Sequence, residues 1–302
     1  MGGVSVLTLG VLYGFSRDAP WPGWTTRWPL GLYLRGALNA GGRASLGRAS
    51  FLLGQSSNGF WYYFPVAFLV KTPIPTLLLF VGAGVITLRE RNFPREALLL
   101  LPCLGYLLAL MLSSLNIGYR HLLPVLPFLF CYAGKTVVWL HTGPPVRRVL
   151  VGLVPVWLIV ASLAIWPHYL AYFNEAAGGP GNGYKILVDS NIGWGQDLLG
   201  LKQYLDREGI AHIKLSYFGP TRPDYLGIDF EPLPGLPPKS DLWYNLPFNP
   251  ENPEPGIYAI SVSNLQELFF VEKRAYLWFR AREPDATIGY SIHVYQVRDD
   301  ES

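Results

Sequence analysis

Cysteine is nearly absent from this chain: its 302 residues hold two, Cys103 and Cys131, both inside apolar runs. A thiol in that setting is a small hydrophobe, and two of them exclude a disulfide framework or a Cys/His zinc spacing. Charge is scarce as well, at 15% of residues against about a quarter in an average soluble domain. The net charge of +3 and the scattered arginines exclude a nucleic-acid interface, which needs a clustered basic face. There is no G-x-G-x-x-G, P-loop, G-x-S-x-G or H-E-x-x-H, so nucleotide-binding, serine-hydrolase and zincin chemistry have no support. No internal repeat or low-complexity tract is visible.

Apolar residues are plentiful and unevenly spread. They crowd residues 1–166, and from Trp166 onward the chain becomes an ordinary mixed polar sequence. Four stretches, Phe60 to Leu88, Ala97 to Leu115, Leu122 to Leu140 and Val149 to Trp166, approach the ~20 residues that cross a ~30 Å hydrocarbon core. A shorter run, Val4 to Phe15, lacks the basic flank and the A-x-A-like end of a signal peptide, and reads as the tail of a helix whose beginning is absent. Arg89, Arg91 and Arg95 follow the first long stretch, and Arg147 and Arg148 precede the fourth. Strict alternation puts both basic loops on one side, which the positive-inside rule makes cytoplasmic. Residues 16–59, the turn Asn116 to His121 and everything after Trp166 then face outward, although the outer loop carries Arg17, Arg27, Arg35, Arg43 and Arg48.

The tail reads as a compact α/β domain. Lys185 to Val188 and Ile213 to Phe218 are β-prone, and Asp197 to Glu208 puts Leu198, Leu201 and Leu205 on one helical face, so a right-handed βαβ unit is expected. Gly256 to Val262 and Thr287 to Val297 supply later strands, and the proline-rich Pro232 to Pro255 reads as irregular loop.

Three groups of polar residues stand at the edges of the apolar stretches, where they are costly. Lys71, ahead of Pro73 and Pro75, either binds a lipid phosphate or snorkels to the interface. Arg120 and His121 end a tight turn between two apolar stretches, where a guanidinium fork suits a phosphate and interfacial anchoring is the plainer alternative. Asp189, Asn191, Trp194, Gln196 and Asp197 crowd the approach to a helix and offer carboxylates, amides and an indole to a sugar or an acceptor. Capping by Asp197 and turn formation by Asp189 or Asn191 are the alternatives. The catalytic residues stay unknown. No cofactor is expected, and a divalent metal is left open.

Gly59-Phe60-Trp61-Tyr62-Tyr63-Phe64-Pro65 with Lys71-Thr72-Pro73, Gly118-Tyr119-Arg120-His121-Leu122-Leu123-Pro124, Tyr169-Leu170-Ala171-Tyr172-Phe173-Asn174-Glu175, and Asp189-Ser190-Asn191 with Trp194-Gly195-Gln196-Asp197 occur in that order. Together they resemble the C-terminal half of bacterial polyprenyl-phosphate-dependent membrane glycosyltransferases of the family 39-like, protein-mannosyltransferase-related group. The resemblance implies an α-helical integral membrane region (residues 1–166, a partial C-type glycosyltransferase-like bundle) followed by an extracytoplasmic α/β domain (residues 167–302) in a multi-pass inner-membrane protein. It also implies sugar transfer from a polyprenyl-phosphate carrier to an acceptor on the outer face, with membrane lipids as neighbours and no nucleic acid. Within the bundle it divides residues 1–15 as a partial helix, 16–59 as an outer loop and about four spans in 60–166. Relatives place their essential acid in a first outer loop that this chain lacks, and commonly carry acids where Gly193 and Gln55 stand. The expectation is therefore carrier binding by this chain, with transfer requiring a missing N-terminal half. The alternative class is a non-catalytic, membrane-anchored glycan- or protein-binding domain.

Overall fold

The computed structural model describes residues 48–91, 93–142, 144–235, 248–270 and 273–299. The expected helix within Val4 to Phe15 and most of the expected outer loop lie outside the described residues. A small antiparallel pair, β1 (Ser50–Leu52) and β2 (Gln55–Ser57), precedes the helical region. That region holds α1 (Tyr63–Lys71), α2 (Ile74–Glu90) and α3 (Phe93–Leu112). A 3₁₀ turn (Tyr119–Val125) then leads into α4 (Leu126–Ala133), a second 3₁₀ turn (Gly134–Val137) and α5 (Val138–Thr142), and α6 (Pro145–Ile165) follows.

Among the described residues, three helices are long and apolar enough to cross a membrane: Phe93–Leu112, the broken run Tyr119–Thr142, and Pro145–Ile165. The expected first span is not one helix. α1 and α2 meet at 111°, because Pro73 has no N–H to continue the ladder and pushes Thr72 into extended backbone at ψ 131°. The surfaces of α3 and α6 are apolar and open, with Leu98, Leu112, Val146 and Leu163 each more than 60% exposed.

Beyond α6 the chain builds a sheet domain containing α7 (Leu198–Glu208), β3 (Ile213–Ser216), β4 (Phe230–Pro232) and β5 (Gly256–Ser261). After these come α8 (Val262–Leu265), α9 (Leu277–Arg280), β6 (Ala286–Ile288) and β7 (Ile292–Val297). The strand order is β4-β3-β5-β7-β6, with β4, β3 and β5 parallel and β7 antiparallel to both β5 and β6. Leu198, Leu201 and Leu205 of α7 pack on one face against Ile213, Leu215, Ala259 and Val294. On the other face Leu265, Tyr276 and Phe279 pack against Tyr258, Ile260 and Tyr295.

Two sequence expectations change here. Lys185 to Val188 is no strand, so the βαβ unit drawn through it does not form; Gly183–Lys185 is a 3₁₀ turn, and Leu187 and Val188 are buried among the helices. The run Thr287 to Val297 is two strands, broken at Gly289 and Tyr290 with φ of 58° and 65°, which explains its imperfect alternation. A third core joins the two regions: Phe51, Leu52, Tyr63, Phe64 and Leu122 meet Phe173, Leu187, Val188, Ile192, Val262 and Leu268.

Candidate functional site

Leu187, Val188 and Ile192 are buried in this joint core, so the residues between them are pressed against the helical region as a 3₁₀ turn, Asp189–Asn191. Hydrogen bonds lock the contact. Asn191 Oδ1 accepts from Tyr119 N at 3.0 Å, and its Nδ2 donates to Tyr63 Oη at 2.8 Å and to Val188 O at 3.0 Å. Ser190 Oγ donates to Ile117 O, and Asp189 N donates to Ser263 Oγ at 2.9 Å. The approach is close enough that Gly118, at φ 125°, has no room for a Cβ against Ser190 Oγ.

Lys71 is 9% exposed and donates to Leu170 O at 2.9 Å and Asn191 O at 2.5 Å, with its ammonium 4.4 Å from the Phe173 ring centre. This geometry commits the ammonium to backbone carbonyls and an aromatic face. Lys71→Met should cost about 1–3 kcal/mol by stranding the buried Asn191 carbonyl and freeing the more open Leu170 carbonyl, read as a fall in the unfolding midpoint in detergent. An unchanged midpoint would reassign it.

Asp189 differs from its neighbours. It is 5% exposed, sits at φ 60°, and places Oδ2 3.7 Å from Arg48 Nη2 while Oδ1 is buried with no hydrogen-bond partner. Burial pushes its carboxyl above the usual carboxylate range; Arg48, the Ser190 backbone and Arg120 pull the other way. A non-glycine residue at positive φ with an unsatisfied buried oxygen stores strain of the kind found at functional sites.

The two arginines beside this acid stand at the ends of an aromatic row. The exposed Arg120 guanidinium lies 5.5 Å from the Trp194 ring centre and Arg48 lies 5.0 Å from that of Phe269. Between them Trp194 and Phe218 are 6.0 Å apart, and Phe218 and Phe269 stack at 6.4 Å. Phe218, the middle ring, is buried, so the open parts of this row are its ends, where an exposed arginine can hold an anion and the 40% exposed Trp194 offers a flat face beside Arg120.

The structure thus brings Arg120, Asp189 and Trp194 together and separates the other candidates from them. Asn191 is spent on the clasp. His121 packs edge-on against Phe64 at 6.3 Å, and its Nε2 is buried without a partner. Gln196 holds the loop under Trp194, accepting from Trp194 N at 2.7 Å and donating to Ile192 O at 3.1 Å. Asp197 precedes α7 without capping it by its side chain. It accepts from Ser291 Oγ at 2.5 Å and Gln196 Nε2 at 3.2 Å, and its Oδ1 lies 3.3 Å from His168 Nδ1. These partners tie the β6–β7 turn to the chain leaving α6. Gly193 takes no side chain without a shift of Ser291, since a Cβ there would lie 2.9 Å from Ser291 Cβ.

Arg48, Phe218 and Phe269 were not among the sequence candidates. Arg48 was one arginine among five in the outer loop, and nothing local marks the two phenylalanines. Among the described residues no group of three or more His, Cys, Asp or Glu side chains could hold a metal. No protein-family model, curated protein or solved structure matches this chain.

Proposed function

We propose that this chain belongs to a membrane glycosyltransferase of the polyprenyl-phosphate-dependent kind, its aromatic row and paired arginines binding a polyprenyl-phosphate-linked sugar at the outer membrane surface. The observation that carries the reading is the convergence of Arg120 and Arg48 beside a buried, incompletely paired Asp189. A phosphodiester needs cations, a sugar ring needs a flat apolar face, and both are present within one row.

The course of the chain supports a membrane setting. α2 leaves the site, α3 returns to it, the Tyr119–Thr142 run leaves again and α6 returns at Trp166, with the bent pair counted as one span. Arg89, Arg91 and Arg95 then lie at the far end with Arg147 and Arg148, the cytoplasmic end by the positive-inside rule. The site and the sheet domain accordingly face outward, in an inner-membrane, C-type arrangement. Trp61, Trp166 and Tyr169, all more than half exposed, lie near the site end, as interfacial aromatics do.

In the transfer reaction the bond between the sugar's anomeric carbon and the carrier phosphate breaks, and Arg120 and Arg48 balance the charge that builds on the departing phosphate. Arg120→Ala should weaken binding of a short polyprenyl phosphate by about 1.5–3 kcal/mol, and Arg120→Lys should recover part of it because the fork is lost. Lys71→Met, compared below its own unfolding temperature, should leave the affinity unchanged. Equal affinity of wild type and Arg120→Ala would reduce Arg120 to an interfacial anchor and remove the reading.

A further inference from the structure

Two or three donors normally satisfy a carboxylate inside a protein, and Asp189 has fewer. Its Oδ1 has no partner, and the nearest guanidinium nitrogen to its Oδ2, Arg48 Nη2 at 3.7 Å, is beyond hydrogen-bonding distance. The groups that face it come from several elements. Arg48 precedes β1, Tyr63 stands on α1, Arg120 on the 3₁₀ turn, and Ser263 on α8 accepts from the Asp189 backbone. Lys71, the other cation nearby, is committed to carbonyls. One carboxylate is therefore shared by two cations, and neither is locked to it by a bidentate pair. The Arg48 side chain is 38% exposed and Arg120 is exposed, so both are free to meet an anion arriving along the aromatic row.

We propose that Asp189 is a displaceable counter-anion of this site: a ligand phosphate that engages Arg48 or Arg120 leaves the carboxylate less compensated in its buried setting, and Oδ1 takes up one proton. The proposal rests on the phosphate-binding reading and deepens it. In the binary complex solvent supplies the proton, so a singly charged diester and one proton enter together.

The direction of the pH effect follows from the charges. Burial raises the carboxyl and the two arginines restrain it, so their withdrawal raises it further. A group that binds protons more tightly in the complex makes affinity rise as pH falls, between its values in the free and bound states. Asparagine is among the residues most tolerant of positive φ, so Asp189→Asn keeps the turn and removes only the charge.

The test is calorimetry on the whole chain in detergent, in two buffers of different ionisation heat. The probes are a farnesyl-phosphoryl glucose diester, singly charged across the working range, and inorganic sulfate as the lipid-free oxyanion. For wild type, proton uptake should accompany diester binding, with affinity rising by up to about tenfold per pH unit on acidification. Asp189→Asn should bind about tenfold more tightly near pH 8 and show neither proton uptake nor pH dependence. Unchanged uptake in Asp189→Asn, or weaker binding by it, would overturn the proposal while leaving the phosphate site standing, provided Arg120→Ala still loses affinity. Failure of wild type and Asp189→Asn to bind either probe would remove the site and the proposal together. Binding of sulfate with the same Asp189-dependent uptake, and no diester binding, would keep the proton coupling and reject a lipid ligand.

Discussion

Asn191→Ala should destabilise the protein by about 3–5 kcal/mol, among the largest effects expected of a single polar substitution. Asn191 is 1% exposed, and its side chain makes three hydrogen bonds that join the sheet domain, α1 and the 3₁₀ turn carrying Arg120. Truncation leaves Tyr119 N–H, the Tyr63 Oη acceptor and Val188 C=O without those partners, and each stranded buried group costs roughly 1–3 kcal/mol, less than additively. Leucine fills the volume and strands the same three groups, so Asn191→Leu should be no better. The unfolding midpoint in detergent measures the loss. Because the clasp sets Arg120 beside Trp194, diester affinity should fall with it. A loss below about 1 kcal/mol would mean that the joint core alone holds the two regions together.

Glu267→Ala should cost about 3 kcal/mol, the lower end for breaking a buried ion pair from one side. The residue is fully buried at φ 51°; its carboxylate accepts from Tyr276 N at 2.7 Å and Arg280 Nη2 at 2.9 Å, while Lys273 donates to its backbone carbonyl. It closes the segment that carries Leu268 into the joint core and Phe269 into the aromatic row. Burial raises its carboxyl above the ordinary value, and Tyr276 N–H, Arg280 and Lys273 only partly offset this. A raised folded-state value makes this group's contribution fullest below the unfolded-state value of about 4.3 and diminishes it as pH rises through the folded-state value. Glu267→Gln keeps an acceptor for Tyr276 N and does not titrate. Its deficit against wild type should therefore be largest in acid and shrink toward neutrality, measurable as unfolding midpoints across pH. A deficit that grows with pH would show that the Arg280 pair outweighs desolvation.

Several elements were legible because their signals are local. The 3.6-residue spacing of Leu198, Leu201 and Leu205 marked α7, and β-branched runs marked β3, β5 and β7. Leu187 and Val188 misled because a short apolar run is equally suited to a strand and to a buried turn. The partners of Lys71 were hidden for another reason. A lysine beside prolines at the end of an apolar stretch looks interfacial, and only the fold brings Leu170 O and Asn191 O to its ammonium. The turn containing Asp189 and the arginine at 120 were both marked in the sequence, but their meeting was not.

The sequence alone determined the division into apolar helices and a mixed sheet domain, since the length, polarity and period of each segment are properties of neighbours along the chain. It also narrowed the chemistry to polar turns at the ends of the apolar stretches. Tertiary structure decided which of those polar groups are consumed and which are left over. Asn191 and Lys71 find partners more than seventy residues away and become struts. Asp189 gains the Ser190 backbone and the loose attention of Arg48 and Arg120, and keeps an unsatisfied oxygen. Hydrogen-bond satisfaction depends on direction and distance within about 3 Å, and those are set by the packing of distant segments rather than by any pattern along the chain.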